Sequence, residues 1–400
     1  MRTQLIWLSA LVAMTACGST GASVADDAPK PATSVPSGIR LILPPIIYAV
    51  PGVETNLYFD NVCLVLNPKN YDFDVEALRG QQFDECWSWV PTEKDIGDIG
   101  LKLTVRDQQN AVIATASTIV RIIPADAGAD QPLSLLCIGD SLTHASVYPK
   151  SILVSCQTPG NPKLTLVGSH GAPVTEAGGV RHEGYGGWTA LRFATHFNTM
   201  ARTGDYKQRG SPFLYAQPTG APKLDFTQYC KDVNGGKYPD RVTIFLGCND
   251  VFGFRDEALE GGIDQILTHY DQILTMIHTS SPSTRIGVML LVPPTATQSA
   301  FGYNYGSSQT RWQYKRNQHR LVERMQERYG KREAENIDLI PTHVNLDCEH
   351  NYPASQVFAN GRSADKVTRL NNSVHPNTSG YQQIADSVYC WLKSTAMTGK

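Results

Sequence analysis

The chain has 400 residues, too long for one small domain and about right for two. Its 35 Lys and Arg nearly balance 37 Asp and Glu, for a net charge of −2, so the balance implies no polybasic surface for nucleic acid. An apolar content of 41% is ordinary for a folded globular chain and excludes global disorder.

The first residues read as a targeting segment. Arg2 supplies a short positive region, and Leu5 to Ala13 is an apolar run too short to span a bilayer comfortably. The run ends Met14-Thr15-Ala16-Cys17, small residues before a cysteine. Residues 1–17 thus resemble a bacterial lipoprotein signal, in which Cys17 is lipidated and becomes the first mature residue. An ordinary secretory signal is the alternative. Either one predicts export from a bacterial cell, and the first adds a membrane anchor, periplasmic or at the cell surface. Residues 18–37, rich in Ser, Ala, Pro, Gly and Asp, read as a flexible tether.

Residues 38–125 read as all-β. Short apolar runs recur at Ile39–Leu43, Asn56–Phe59 and Cys63–Leu66, and Leu101–Val105 alternates apolar with polar positions. This spacing predicts a small β-sandwich domain. The stretch Trp87-Ser88-Trp89-Val90-Pro91, with Asp95-Ile96-Gly97 ahead of the alternating strand, resembles bacterial immunoglobulin-like modules. A spacer, a packing partner and a carbohydrate-contact surface are the roles open to it. Eight cysteines remain after Cys17; in an exported protein they permit disulfides, with Cys63–Cys86 as the expected pair. Cys137 and Cys248 lie in strand-like runs and are expected in the core. No cysteine or histidine spacing suits zinc.

After the boundary at Pro124–Gln131, strands alternate with helices. The predicted strands are Ser134–Ile138, Leu164–Val167, Val242–Leu246, Ile286–Leu291 and Ile337–Ile340. Helical stripes run through Ile263, Ile266, Tyr270, Ile273 and Ile277, through Leu321, Met325 and Tyr329, and through Tyr381, Ile384, Val388 and Trp391. Alternating β and α with apolar strands predicts a parallel sheet covered on both faces, with ligands at the carboxyl ends of the strands.

Four short blocks fall at that edge. They are Gly139-Asp140-Ser141-Leu142, the run Arg181 to Thr189 spelled Arg-His-Glu-Gly-Tyr-Gly-Gly-Trp-Thr, Gly247-Cys248-Asn249-Asp250, and Asn372-Ser373-Val374-His375-Pro376. Any one block also reads as ordinary turn or cap chemistry. Together, in this order, they make residues 131–397 similar to the SGNH (GDSL-type) hydrolases. The run at 182–189 further resembles carbohydrate-directed members that remove acetyl groups from polysaccharides.

The resemblance implies an α/β fold of three layers, with a flavodoxin-like parallel sheet of five strands. It implies acyl transfer with no metal or organic cofactor. Ser141 would be the nucleophile and His375 the general base. The oxyanion hole would be the Ser141 N–H, the Gly187 N–H and the Asn249 amide, with Gly186 one register away. Tyr185 and Trp188 would either stack on a sugar or pack the loop. His144 and His182 are expected to be satisfied structural residues.

One position departs from the family pattern. The aspartate usual three residues before the histidine is Asn372, and an amide stabilises an imidazolium poorly. Asp347, with Glu349 beside it, follows a strand toward the same edge and is expected to orient His375; a Ser–His dyad is the other route to an active enzyme. The expected function is an exported serine esterase acting on an acylated, O-acetyl carbohydrate. A non-catalytic glycan-binding protein and an O-acetyltransferase are the competing readings.

Overall fold

The computed structural model describes residues 38–171, 179–201 and 205–396. The leader, Cys17 and the tether lie outside the described residues. Residues 38–396 belong to one compact unit with a continuous hydrophobic core.

The α/β half is built on a parallel sheet. Its strands are β1 (Pro132–Gly139), β2 (Lys163–Val167), β3 (Glu183–Gly184), β4 (Arg241–Phe245), β5 (Arg285–Met289) and β6 (Ile337–Ile340). The order runs β3–β1–β4–β5–β6, with β2 also pairing β1. β2 flanks the first half of β1 through Pro132–Leu136, and β3 flanks its end through Ile138 and Gly139. The five strands predicted are therefore six, the additional one a two-residue edge too short to carry a pattern. In β1 the run Leu135-Leu136-Cys137-Ile138 is wholly buried, as expected for a parallel strand covered on both faces.

The helices that matter for the site are α1 (Ser141–His144), α2 (Cys248–Val251), α3 (Asp256–Ser280), α4 (Arg311–Tyr329) and α5 (Thr378–Ala396). The predicted stripe of α3 is buried at Ile263, Ile266, Tyr270, Ile273 and Ile277. Four arginines at four-residue spacing on α4, namely Arg316, Arg320, Arg324 and Arg328, pair with Asp256, Glu260, Asp264 and Asp271 of α3. Such partly exposed pairs set the register of the two helices more than they stabilise them.

Residues 38–125 form a β-rich region of two sheets. One has the order Ile46–Ala49, Val112–Ile122, Gly97–Arg106, Asp72–Ala77, and its first pair is parallel. The other joins Thr55–Tyr58, Cys86–Trp89 and Gln81–Gln82. Ile39–Leu43 and Cys63–Leu66 are not strands; they meet at a single bridge, Leu41 to Cys63. Cys63 and Cys86 are both buried as free thiols, so the expected disulfide is corrected.

This region is packed against the α/β half. The Asn56 N–H donates to Asn345 Oδ1 at 2.9 Å, and Asn61 Nδ2 donates to the carbonyls of His343 and Leu346. Asp60 pairs with Arg311 at 2.9 Å and with Lys315, a lysine almost wholly out of solvent. Each of these buried polar groups finds its partner across the junction, so neither face is complete alone.

Candidate active site

The site starts where β1 runs out. Gly139 lies so close to α1 that a Cβ there would sit 2.0 Å from Thr143 Oγ1, which excludes any larger residue. Asp140 caps α1: its Oδ1 accepts the Leu142 N–H at 2.9 Å, and its Oδ2 accepts from the Cys248 thiol at 2.8 Å. The carboxyl is fully buried, and burial pushes its pKa up to about 6 against those two donors. The tight strand-to-helix turn leaves Ser141 half-buried at the sheet edge.

His375 arrives from the loop ahead of α5. Its Nε2 lies 2.8 Å from Ser141 Oγ. Asn372 Oδ1 accepts the N–H of His375 at 2.9 Å and that of Val374 at 3.3 Å, folding the loop into an Asx turn. Asn304, on the helix Gln298–Tyr305, accepts from both the N–H and the hydroxyl of Ser373 at 2.8 Å and pins the loop from outside. Burial alone holds the His375 pKa below the ordinary histidine value. Among the described residues, nothing hydrogen-bonds its Nδ1.

At the same strand end lies the turn that follows β3, where the Tyr185 N–H donates to the Gly139 carbonyl at 3.0 Å. Gly187 has φ +78°, a conformation an L side chain resists, and the space beside its Cα is open. The N–H groups of Ser141 and Gly187 have no acceptor among the described residues. Asn249, in α2, donates one Nδ2 hydrogen to the Trp188 carbonyl at 3.0 Å. Asp250 accepts the Ala190 N–H at 2.9 Å, and burial pushes its pKa up to about 7. Residues 249 and 250 thus tie the turn at 188–190 to α2.

Comparison with known proteins now bears on this geometry. The GDSL-like lipase/acylhydrolase family model matches residues 137–383, more than half of the chain. The chain belongs to the GDSL-like acylhydrolases. It is an ester hydrolase, and the matched segment spans all four loops described above. No curated protein sequence matches it. Among solved structures it is similar to a carbohydrate esterase family 3 protein from Talaromyces cellulolyticus (17% identity, TM-score 0.39, covering 67% of this chain and 100% of that one). It is also similar to a family 3 carbohydrate esterase from Clostridium thermocellum (16%, 0.35, 65% and 94%). A third is a carbohydrate acetylesterase family member from Sinorhizobium meliloti (10%, 0.37, 66% and 99%).

Within this acylhydrolase, three sequence expectations are corrected. Asp347 does not reach His375. Its Oδ2 lies 2.9 Å from His350 Nδ1 and its Oδ1 accepts the N–H groups of Glu349 and His350, so both oxygens are spent on a local turn. Glu349 is exposed beside it and makes no hydrogen bond from its side chain among the described residues. Asn372 orients backbone, not the imidazole. Tyr185 and Trp188 do not face a substrate: both are fully buried, their rings 4.5 Å apart, and Trp188 packs edge-on to Phe193 with the Arg192 guanidinium over it.

Glu183 explains that burial, and sequence reading missed it. The carboxylate is fully buried on β3 and accepts from four donors: the Ser169 N–H and hydroxyl, the Tyr185 hydroxyl, and the Tyr229 hydroxyl at 2.7 Å. Burial raises its pKa while all four donors favour the ionised form. Only its place in the His182–Trp188 run could have flagged it, since Tyr229 is 46 residues away. His182 is buried: its Nδ1 accepts the Gly184 N–H at 3.0 Å, which leaves Nε2 as the donor to Ser146 Oγ at 2.8 Å. His144, half-buried on α1, meets His170 through Nδ1···Nε2 at 2.9 Å.

Proposed function

We propose that the chain is a serine esterase that uses a Ser141–His375 dyad to remove short acyl groups from a carbohydrate. The 2.8 Å contact between Ser141 Oγ and His375 Nε2 carries the reading. In the neutral imidazole with its proton on Nδ1, Nε2 takes the Ser141 proton as Oγ attacks the ester carbonyl. The developing oxyanion is met by the two unengaged N–H groups of Ser141 and Gly187 and by the second Nδ2 hydrogen of Asn249. His375 then returns the proton to the leaving alkoxide, and water attack on the acyl-enzyme repeats the sequence in reverse. The carbohydrate class rests on the spelling of residues 182–189, and the O-acetyl group on that same resemblance. Export and anchoring through Cys17 rest on residues 1–17 alone.

Asn372, with no carboxylate at Nδ1, is the one observation that favours the competing reading, a glycan-binding protein on a hydrolase scaffold. A fluorophosphonate probe separates the two. The esterase labels stoichiometrically and Ser141→Ala does not; a binding protein labels at no pH.

A further inference from the structure

Tyr206 belongs to no motif, yet its hydroxyl stands over the turn that follows β3, at the strand end that carries Ser141. A Cβ built on Gly186 would lie 2.9 Å from that oxygen, so the phenol is one residue from the Gly187 N–H. The hydroxyl makes no hydrogen bond among the described residues. The ring is half-buried and packs on His144, centroids 4.5 Å apart at 42°, and beyond it on His170 at 5.7 Å.

The support beneath this ring is cross-linked by hydrogen bonds. His144 is the last residue of the short helix that opens with Ser141. His170 and His182 hydrogen-bond to each other's backbones, and Ser146 is held in a left-handed conformation with φ +62° with its hydroxyl against His182. Burial pushes the pKa of His170 down to about 4 and that of His182 to about 3, so these rings are uncharged at neutral pH. The rim beside Ser141 is thus a stack of aromatic rings topped by one hydroxyl that can donate or accept. A lipid chain has no use for that hydroxyl and would have to desolvate it. A pyranose offers the complement: a C–H face for the rings and a hydroxyl for the phenol.

Building on the esterase reading above, we infer that the Tyr206 hydroxyl is the specificity contact of this site, hydrogen-bonding the sugar hydroxyl adjacent to the ester. It touches the sugar, not the reacting carbonyl.

The test compares wild type with Tyr206→Phe, which keeps the ring stack, on three esters: a mono-O-acetylated methyl pyranoside, its analogue lacking the adjacent hydroxyl, and 4-nitrophenyl acetate. One neutral hydrogen bond corresponds to roughly a tenfold change in kcat/KM. The variant should lose about tenfold on the pyranoside ester. It should stay within about twofold of wild type on the aryl ester and no longer discriminate between the pyranoside and its deoxy analogue. Equal losses on the sugar and aryl esters, or no loss on the sugar ester, would overturn the inference, as would wild type that hydrolyses only the aryl ester. Ser141→Ala measured alongside keeps the two claims apart. If it still hydrolyses the aryl ester, the nucleophile assignment fails, whatever Tyr206 does.

Discussion

Placing a carboxylate at residue 372 should move the acid limb of the pH–rate profile upward. In the wild-type protein His375 is depressed by burial alone, with no carboxylate at Nδ1 to counter it. A base with a depressed pKa stays unprotonated to lower pH, so kcat/KM should hold its plateau through neutrality and fall with a midpoint below the ordinary histidine value of 6.5. The change Asn372→Asp preserves the acceptor that takes the His375 and Val374 N–H groups, so the Asx turn survives. It adds a negative charge near the ring. Two unit charges about 6 Å apart interact by about 0.7 kcal/mol at the dielectric of water and about 2.8 kcal/mol at an effective value of about 20. That corresponds to raising the pKa, and with it the limb, by roughly 0.5 to 2 pH units. The assay is kcat/KM for 4-nitrophenyl acetate from pH 4 to 9 in both proteins, with aryl-ester hydrolysis by buffer subtracted. A wild-type midpoint at or above 6.5, or a midpoint the substitution leaves in place, would refute the reasoning.

Three other outcomes follow from the same structure. Asp347→Asn should leave kcat and kcat/KM within twofold and change stability by less than about 0.5 kcal/mol, because Asp347 serves an exposed turn with His350; steady-state kinetics and urea unfolding check both. Asn249→Ala frees the Trp188 carbonyl and, on the proposed mechanism, removes an oxyanion donor, and should lower kcat by about 10²–10³-fold with KM little changed. Asp60→Asn strips the buried Lys315 of its charge partner and should cost about 3–5 kcal/mol in denaturant unfolding, with kcat unaltered where the protein is folded.

The sheet was legible because parallel strands read as apolar runs at regular intervals: Leu135–Ile138 and Val242–Phe245 carry few polar residues. The convergence of Ser141 and His375 was legible through the resemblance of the four blocks to the SGNH hydrolases; topology alone places only the Ser141 end of that pair, because His375 follows an exposed hairpin and not a strand of the parallel sheet. Elsewhere the deciding contacts are remote in sequence. The parallel pairing of Ile46–Ala49 with Val112–Ile122 leaves no local mark. The antiparallel hairpin of Ala354–Phe358 with Lys366–Leu370 is polar at half of its positions and buried at none, so no core-facing pattern marks it. Tyr185 and Trp188 resemble sugar platforms until Glu183 and Tyr229 draw the loop inward. Asp347 had the right edge and the wrong partner, because its nearest unpaired donors were the backbone and ring of its own turn.

Acid-quenching the enzyme during turnover of an acetate ester and mapping the modification by peptide mass spectrometry tests the central claim most directly. The account predicts one acetyl group on the peptide that carries Ser141, at its hydroxyl, and none in Ser141→Ala. Turnover that proceeds undiminished in Ser141→Ala, or an acetyl group carried on a different side chain, would contradict it.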